Sequence, residues 1–236
     1  FKSKLFLVDP ISPLIISLIA YIAITFFNFL FTELERSRVR GAFAQYLSPE
    51  MVNRLAESSD ALVLGGERKE MTFLFSDIRG FTKISEQYKD DPEALTQLIN
   101  RLLTVLSNAI LDHGGTIDKY MGDCIMAFWN APTDQLDHRE LAIKAAHAMN
   151  KALSQLNEEM KDSLNFKLEI GIGINSGECI VGNMGSDTRF DYTVIGDAVN
   201  LAARLEGQSK TYGVLVVFGQ ETRDAFPTSE MNKCVP

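Results

Sequence analysis

Cysteine is scarce and badly placed for cross-linking. Cys124, Cys179 and Cys234 are odd in number and far apart, which excludes a disulfide framework and a thiolate zinc site and fits a reducing compartment. Positive charge is also short, with 23 Lys and Arg against 31 Asp and Glu for a net charge of −8. A broad nucleic-acid-binding face needs clustered cations to neutralise phosphates, so no nucleic acid is expected as a partner, although a local phosphate pocket remains open. No internal repeat and no low-complexity segment interrupts the 236 residues, which are enough for one cored domain and a shorter accessory segment.

Charge is missing altogether from residues 11–31, ISPLIISLIAYIAITFFNFLF. At about 1.5 Å rise per residue a helix of that length reaches about 30 Å, the thickness of a bilayer's hydrocarbon core. The run is apolar all round, unlike the one-sided pattern of a surface helix. Lys2 and Lys4 precede it and Arg36, Arg38 and Arg40 follow it, flanks too even to set orientation. Its length and the lack of a small-residue cleavage site disfavour a signal peptide. We therefore expect a transmembrane helix over residues 11–31, after the end of an upstream segment (residues 1–10). A chain that opens on Phe1 rather than Met points the same way.

Residues 32–66 read as a helical stalk. Val39, Phe43, Tyr46 and Leu47 share one helical face, and Ser48-Pro49 supplies an N-cap and first-turn proline for a second helix carrying Met51, Val52 and Leu55. Gly65-Gly66 is expected to turn, and residues 67–236 to form the main domain.

In that domain, Met71 to Phe75 is a short apolar run suited to a buried strand. Asp91-Pro92 caps a helix with Leu95, Leu98, Ile99, Leu102, Leu106 and Ile110 inward, stopped at Gly114-Gly115. Two strands follow, joined at Met121-Gly122-Asp123. Asp137 and Glu140 form a capping-box-like start for a helix to about Lys161, with Leu141, Ala145, Ala148, Ala152 and Leu156 inward. The period then switches to two: Leu168, Ile170, Ile172 and Ile174 alternate with Lys167, Glu169, Gly171 and Gly173, and Ser176-Gly177 is read as a turn into a partner strand. A strand around Tyr192 to Ile195, a helix after Gly196-Asp197 and a last strand from Val214 complete the chain. This alternation predicts an α/β (α+β) domain, a ferredoxin-like core with a mostly antiparallel sheet.

Several residues in this frame suit chemistry. Phe75-Ser76-Asp77-Ile78-Arg79-Gly80-Phe81-Thr82 places a carboxylate where a buried strand gives way to a helix, a position fit for a metal-bound polyphosphate; it also reads as a plain helix cap at Asp77. Asp123, in the hairpin turn, can complete a two-ion site or be an ordinary turn aspartate, and Lys119 reads alone as a surface lysine. Asn200 and Arg204, four apart, share a helix face and can hold sugar and phosphate oxygens, or simply face water. His113, His138 and His147 fall outside these motifs and are read as structural, so no general base is assigned.

Together, from about Met71 to Phe218, these motifs resemble the class III nucleotidyl cyclase catalytic domain. The octamer above is similar to the family's first metal motif, Lys119-Tyr120-Met121-Gly122-Asp123 to its second, and the segment from Asp191 to Arg204, DYTVIGDAVNLAAR, to its third. The resemblance implies metal ligation by Asp77, Asp123 and the Ile78 carbonyl, phosphate contacts at Gly80, Phe81 and Thr82, and reading of the base by Lys119 and Thr193. It further implies transition-state stabilisation by Asn200 and Arg204, two divalent ions (Mg²⁺ or Mn²⁺), and a homodimer whose sites each draw on both protomers. Lys119 favours ATP, since guanylate-specific members commonly carry an acidic residue there; Thr193 is ambiguous, since a hydroxyl donates or accepts.

The implied activity is adenylate cyclisation, ATP to cyclic AMP and pyrophosphate, by a cytoplasmic domain anchored in a membrane and coupled through the stalk to an upstream sensor. The alternatives are a guanylate cyclase and a non-catalytic dimerisation module. A diguanylate cyclase would need a Gly-Gly-Asp/Glu-Glu-Phe signature that this chain does not carry. Family members usually add a Lys or Arg on a late strand, and the chain ends at Pro236 before such a segment, which points to a truncated C-terminus.

Overall fold

The computed structural model describes residues 14–28, 65–186 and 189–224. Two compact units divide the chain, Phe1–Ala56 and Glu57–Pro236. In the first, α1 (Leu14–Asn28) is an apolar helix with Ile15, Ile19, Ile22 and Phe26 exposed. The described helix is shorter than the ~20 residues that a bilayer span requires; the flanks of the expected span and the expected stalk up to residue 64 lie outside the described residues.

The second unit is built on a six-stranded sheet. Its elements are β1 (Gly65–Ile78), α2 (Phe81–Gln87), α3 (Pro92–Leu111), β2 (Thr116–Met121), β3 (Cys124–Trp129), α4 (His138–Glu159), β4 (Ile170–Ser186), β5 (Arg189–Ile195), α5 (Asp197–Tyr212), β6 (Val216–Phe218) and α6 (Gln220–Arg223). Strand order is β2-β3-β1-β4-β5, with β6 added parallel to β4 and every other pairing antiparallel. The first four strands with α3 and α4 make the β-α-β-β-α-β arrangement of a ferredoxin-like core.

β1 is central. It pairs with β4 along its whole length, Gly65 to Ile78, and with β3 through Thr72 to Ser76. Burial from both sides explains its uninterrupted apolar run. Leu74 and Ile78 join Ile125, Trp129, Ile170, Ile172 and Ile174 beneath Leu98, Leu102, Leu106, Ala145, Met149 and Leu153 of α3 and α4. Phe73 and Phe75 face the other way, with Met126, Phe128, Val181, Val194 and Ala202. Among the described residues, the one helix long and apolar enough to cross a bilayer is α3, and its apolar stripe is part of this core.

Four expectations need correction. Gly65-Gly66 opens β1 instead of turning. Ser176-Gly177 does not turn either: β4 runs through it as one strand to Ser186, because the edge of β1 continues to Gly65 and offers a partner for every residue. Asp137 caps α4 without a side-chain hydrogen bond, so no capping box forms. The buried stripe of α4 is His138, Ala142, Ala145, Ala146, Met149, Leu153 and Leu156, leaving Leu141, Ala148 and Ala152 at its half-buried margin.

The period of two in β4 also means something other than an exposed face. Gly171 and Gly173 are buried under α5, and a Cβ on Gly173 would overlap the Ala202 carbonyl and the Glu206 amide. The glycines let α5 lie directly on the strand, which carries Glu206 to the position beside Asp77, the register partner of Gly171.

Candidate active site

Asp77 is the penultimate residue of β1, and the N-cap of the following helix is Gly80, in the left-handed conformation with φ 71°. The plain-cap reading of Asp77 therefore falls. Asp123 sits in the tight turn between β2 and β3, made possible by Gly122 at φ 69°. The antiparallel pairing of β3 with β1 brings that turn to the end of β1.

The consequence is a concentration of negative charge. Partial burial, then the Asp123 carboxylate through its charge and hydrogen bonding, then Glu206, raise the Asp77 carboxyl to about 6, against a smaller opposing bond from the Ile78 backbone. Glu206 is raised by burial and by Asp123, with Arg79 and Lys210 opposing. Cys124 is pushed up to about 12 by burial and by Asp77, Glu206 and Asp123. Arg79 donates through Nη2 to the main-chain oxygens of Ser209 (3.3 Å) and Val214, which ties the end of β1 to the end of α5.

The donor set suits a divalent cation. Asp123 Oδ2 is buried without a hydrogen-bond partner, and the Asp123 carboxylate makes Asp77 costlier to ionise, a cost that a cation between the two would offset. Among the described residues no group of three or more His, Cys, Asp or Glu forms a closed metal cage. Such openness fits Mg²⁺ or Mn²⁺, which use one or two carboxylates and take their remaining oxygens from water and substrate phosphates. Ile78 has a buried apolar side chain, which leaves its carbonyl as the oxygen it could offer a cation. Gly80 and Thr82 are exposed and Phe81 half-buried at the start of α2, where first-turn amides have no partner within the helix.

A second constellation involves the base-reading candidates. β2 and β5 lie at opposite ends of the strand order, yet Tyr192 of β5 stands against Phe128 of β3 with ring centroids 6.3 Å apart, and Thr193 reaches Asp118 of β2. The sheet curls enough to bring Lys119 and Thr193 to one acidic side chain. Asn200 and Arg204 are both exposed on α5. Asn200 borders a cleft of about 390 Å³ with Ile180, Ile195 and Gly196. Ile180 and Ile195 are direct register partners, 46% and 60% exposed, a solvent-facing apolar pair beside this cleft.

Sequence reasoning missed Asp118, Glu206 and Cys124. Asp118 is the extra residue of a bulge between Ile117 and Lys119, where the pairing of β2 with β3 shifts register. Glu206 reaches the site only because two glycines let α5 settle on β4. Two of the three histidines make structural contacts: His138 Nδ1 lies 2.7 Å from the Thr72 hydroxyl in a buried network, and His113 Nδ1 lies 2.8 Å from the Ala109 carbonyl.

Comparison with known proteins places this geometry in context. The family model described as the adenylate and guanylate cyclase catalytic domain matches residues 65–229. An adenylate cyclase of Anabaena cylindrica is 41% identical over 150 residues, 61% of this chain and 28% of that protein. The crystal structure of the adenylyl cyclase CyaB from P. aeruginosa is similar with 42% identity and a TM-score of 0.63, covering 68% of this chain and 82% of that one. That of the guanylyl cyclase Cya2 is similar with 39% identity and a TM-score of 0.62, covering 69% and 80%. The chain spans about a quarter of the length of the curated adenylate cyclases it matches.

Proposed function

We propose, from the premise that this chain belongs to the adenylate and guanylate cyclase catalytic domain family, that it converts ATP to 3′,5′-cyclic AMP and pyrophosphate at sites shared between two copies. The observation that carries the reading is the pairing of Asp77 with Asp123 at the end of β1, with a buried carboxylate oxygen left without a partner. Overall similarity does not choose the base, because the adenylyl and guanylyl relatives are 42% and 39% identical to the chain. Lys119 chooses it: an ammonium only donates, and adenine N1 accepts where guanine N1 carries a proton.

In the reaction the 3′-oxygen bonds to the α-phosphorus of the same nucleotide as the bond to pyrophosphate breaks, so no protein nucleophile is needed. Two divalent ions held by Asp77, Asp123 and the Ile78 carbonyl would neutralise the polyphosphate and lower the pKa of the 3′-hydroxyl. Gly80, Phe81 and Thr82 offer main-chain donors to the phosphates. Lys119 and Thr193 hold the adenine edge, while Asn200 orients the ribose and Arg204 meets the charge that grows on the phosphoryl oxygens. The exposed Ile180 and Ile195 beside Asn200 support a homodimer, in which a second copy would cover apolar surface that one copy leaves in water. The test is product analysis of the whole chain with Mn²⁺ and either ATP or GTP. Cyclic AMP from ATP in large excess over cyclic GMP from GTP is expected; cyclic GMP as the main product assigns a guanylate cyclase, and no product from either nucleotide assigns a non-catalytic module.

The apolar run over residues 11–31 supports a membrane anchor, with the catalytic domain in the cytoplasm, where ATP is, and residues 32–66 linking it to an upstream sensor. The chain is expected to sediment with membranes and resist high-salt extraction, and deletion of residues 11–31 to release it; a soluble wild-type chain contradicts the anchor.

A further inference from the structure

Lys119 and Thr193 converge on Asp118. The Asp118 side chain is fully shielded from solvent, and Lys119 Nζ stands 3.4 Å from its Oδ1. Thr193 donates its hydroxyl proton to Oδ2 at 2.6 Å. Oδ1 is buried with no aligned hydrogen bond, so the nearby ammonium is its charge partner. Burial pushes the Asp118 carboxyl up, and the Thr193 hydroxyl and Lys119 ammonium oppose it by favouring the charged form. The bulge at Asp118 makes the arrangement possible, since in a regular strand residues 118 and 119 would face opposite sides of the sheet.

A hydroxyl has one proton to give. With that proton committed to Asp118, Thr193 presents a lone pair to any ligand, while Lys119 presents protons. An acceptor beside a donor matches adenine, whose 6-amino group donates and whose N1 accepts, and it opposes guanine, whose 6-oxygen accepts and whose N1 carries hydrogen.

We propose that Asp118 is a positioning residue for base selection: it fixes Thr193 as an acceptor and anchors Lys119 as a donor, so that the pair admits a 6-amino purine and rejects a 6-oxo purine. The inference rests on the adenylate cyclase reading, in which Lys119 and Thr193 face the base, and it settles the donor-or-acceptor ambiguity that threonine carries in sequence.

Asp118→Asn is the sharpest variant. Lys119 would draw the amide oxygen and leave the amide NH₂ facing Thr193, whose hydroxyl must then accept from residue 118 and donate to the ligand. Asp118→Ala leaves that hydroxyl free to rotate. The experiment titrates the whole chain calorimetrically, with Mn²⁺, against 3′-deoxy-ATP and 3′-deoxy-GTP, which bind without cyclising. Wild type is expected to prefer the adenine nucleotide, Asp118→Asn to shrink that preference at least about tenfold, and Asp118→Ala to shrink it less. Melting curves identify a variant that fails to fold, in which case the other carries the test. A merely structural role would weaken both nucleotides together and hold the ratio fixed, and that result, or a wild-type ratio of one, overturns the proposal. Cyclic AMP production by the wild type is scored separately: its absence counts against the adenylate cyclase reading, whereas an unchanged binding ratio counts against Asp118.

Discussion

Replacing Asp77 with alanine is expected to cut cyclic AMP formation by on the order of 10³-fold or more while the domain stays folded. The loss follows from what remains: Asp123 and a carbonyl oxygen are too few protein ligands to hold cations against water. Folding should survive because Asp77 is only half-buried at the end of β1 and its neighbours are Asp123, Glu206 and Cys124, none of which gains from its charge.

The substitution Asp77→Asn separates metal binding from folding further. Its folded carboxyl, at about 6, lies above the ordinary 3.8, so the folded state holds the proton more tightly. The resulting stability is present below about pH 4 and lost as pH rises through 6. At pH 7.5 the metal-free wild type therefore carries Asp77 in its charged form beside Asp123, at a cost that no cation offsets. Metal-free Asp77→Asn should melt higher than metal-free wild type, and Mn²⁺ should raise the melting temperature of wild type but not of the variant. Melting curves with and without Mn²⁺ check both statements; an Asn variant that melts lower, or that Mn²⁺ still stabilises, contradicts the metal assignment.

How much was legible in the sequence depends on the range of the forces involved. α3 was readable to its cap because Asp91, Pro92 and the i, i+4 leucines are local signals, and Asp91 does accept from the Ala94 amide at 3.0 Å. The β2–β3 turn was readable because Gly122 needs a positive φ. β4 was misread because Ser-Gly is a common turn signal, and only the long edge of β1, which is non-local, keeps the strand extended through it. The α4 stripe was placed off its true centre because alanines mark a helix face weakly and tertiary packing decides which of them go inside. At the site, Asp77 and Asp123 stand out by motif, whereas Glu206 and Asp118 depend on a helix pressed onto glycines and on a bulge, neither of which has a local signature.

Asp77 and Asn200 offer the second large effect, because in the proposed dimer each active site takes Asp77 from one copy and Asn200 from the other. Asp77→Ala chains alone and Asn200→Ala chains alone should be nearly inactive. Co-expressed in equal amounts and pairing at random, half of the dimers are mixed, and each mixed dimer contains one site with both defects and one with neither. Activity should therefore recover to about a quarter of the wild-type level, as two-fold symmetry requires. Measuring cyclic AMP formation by the purified co-expressed pair tests the metal ligands, the transition-state residue and the shared site together. Recovery to about a quarter is the predicted result; activity no higher than that of either variant alone would place all the groups of a site in one copy and contradict the account.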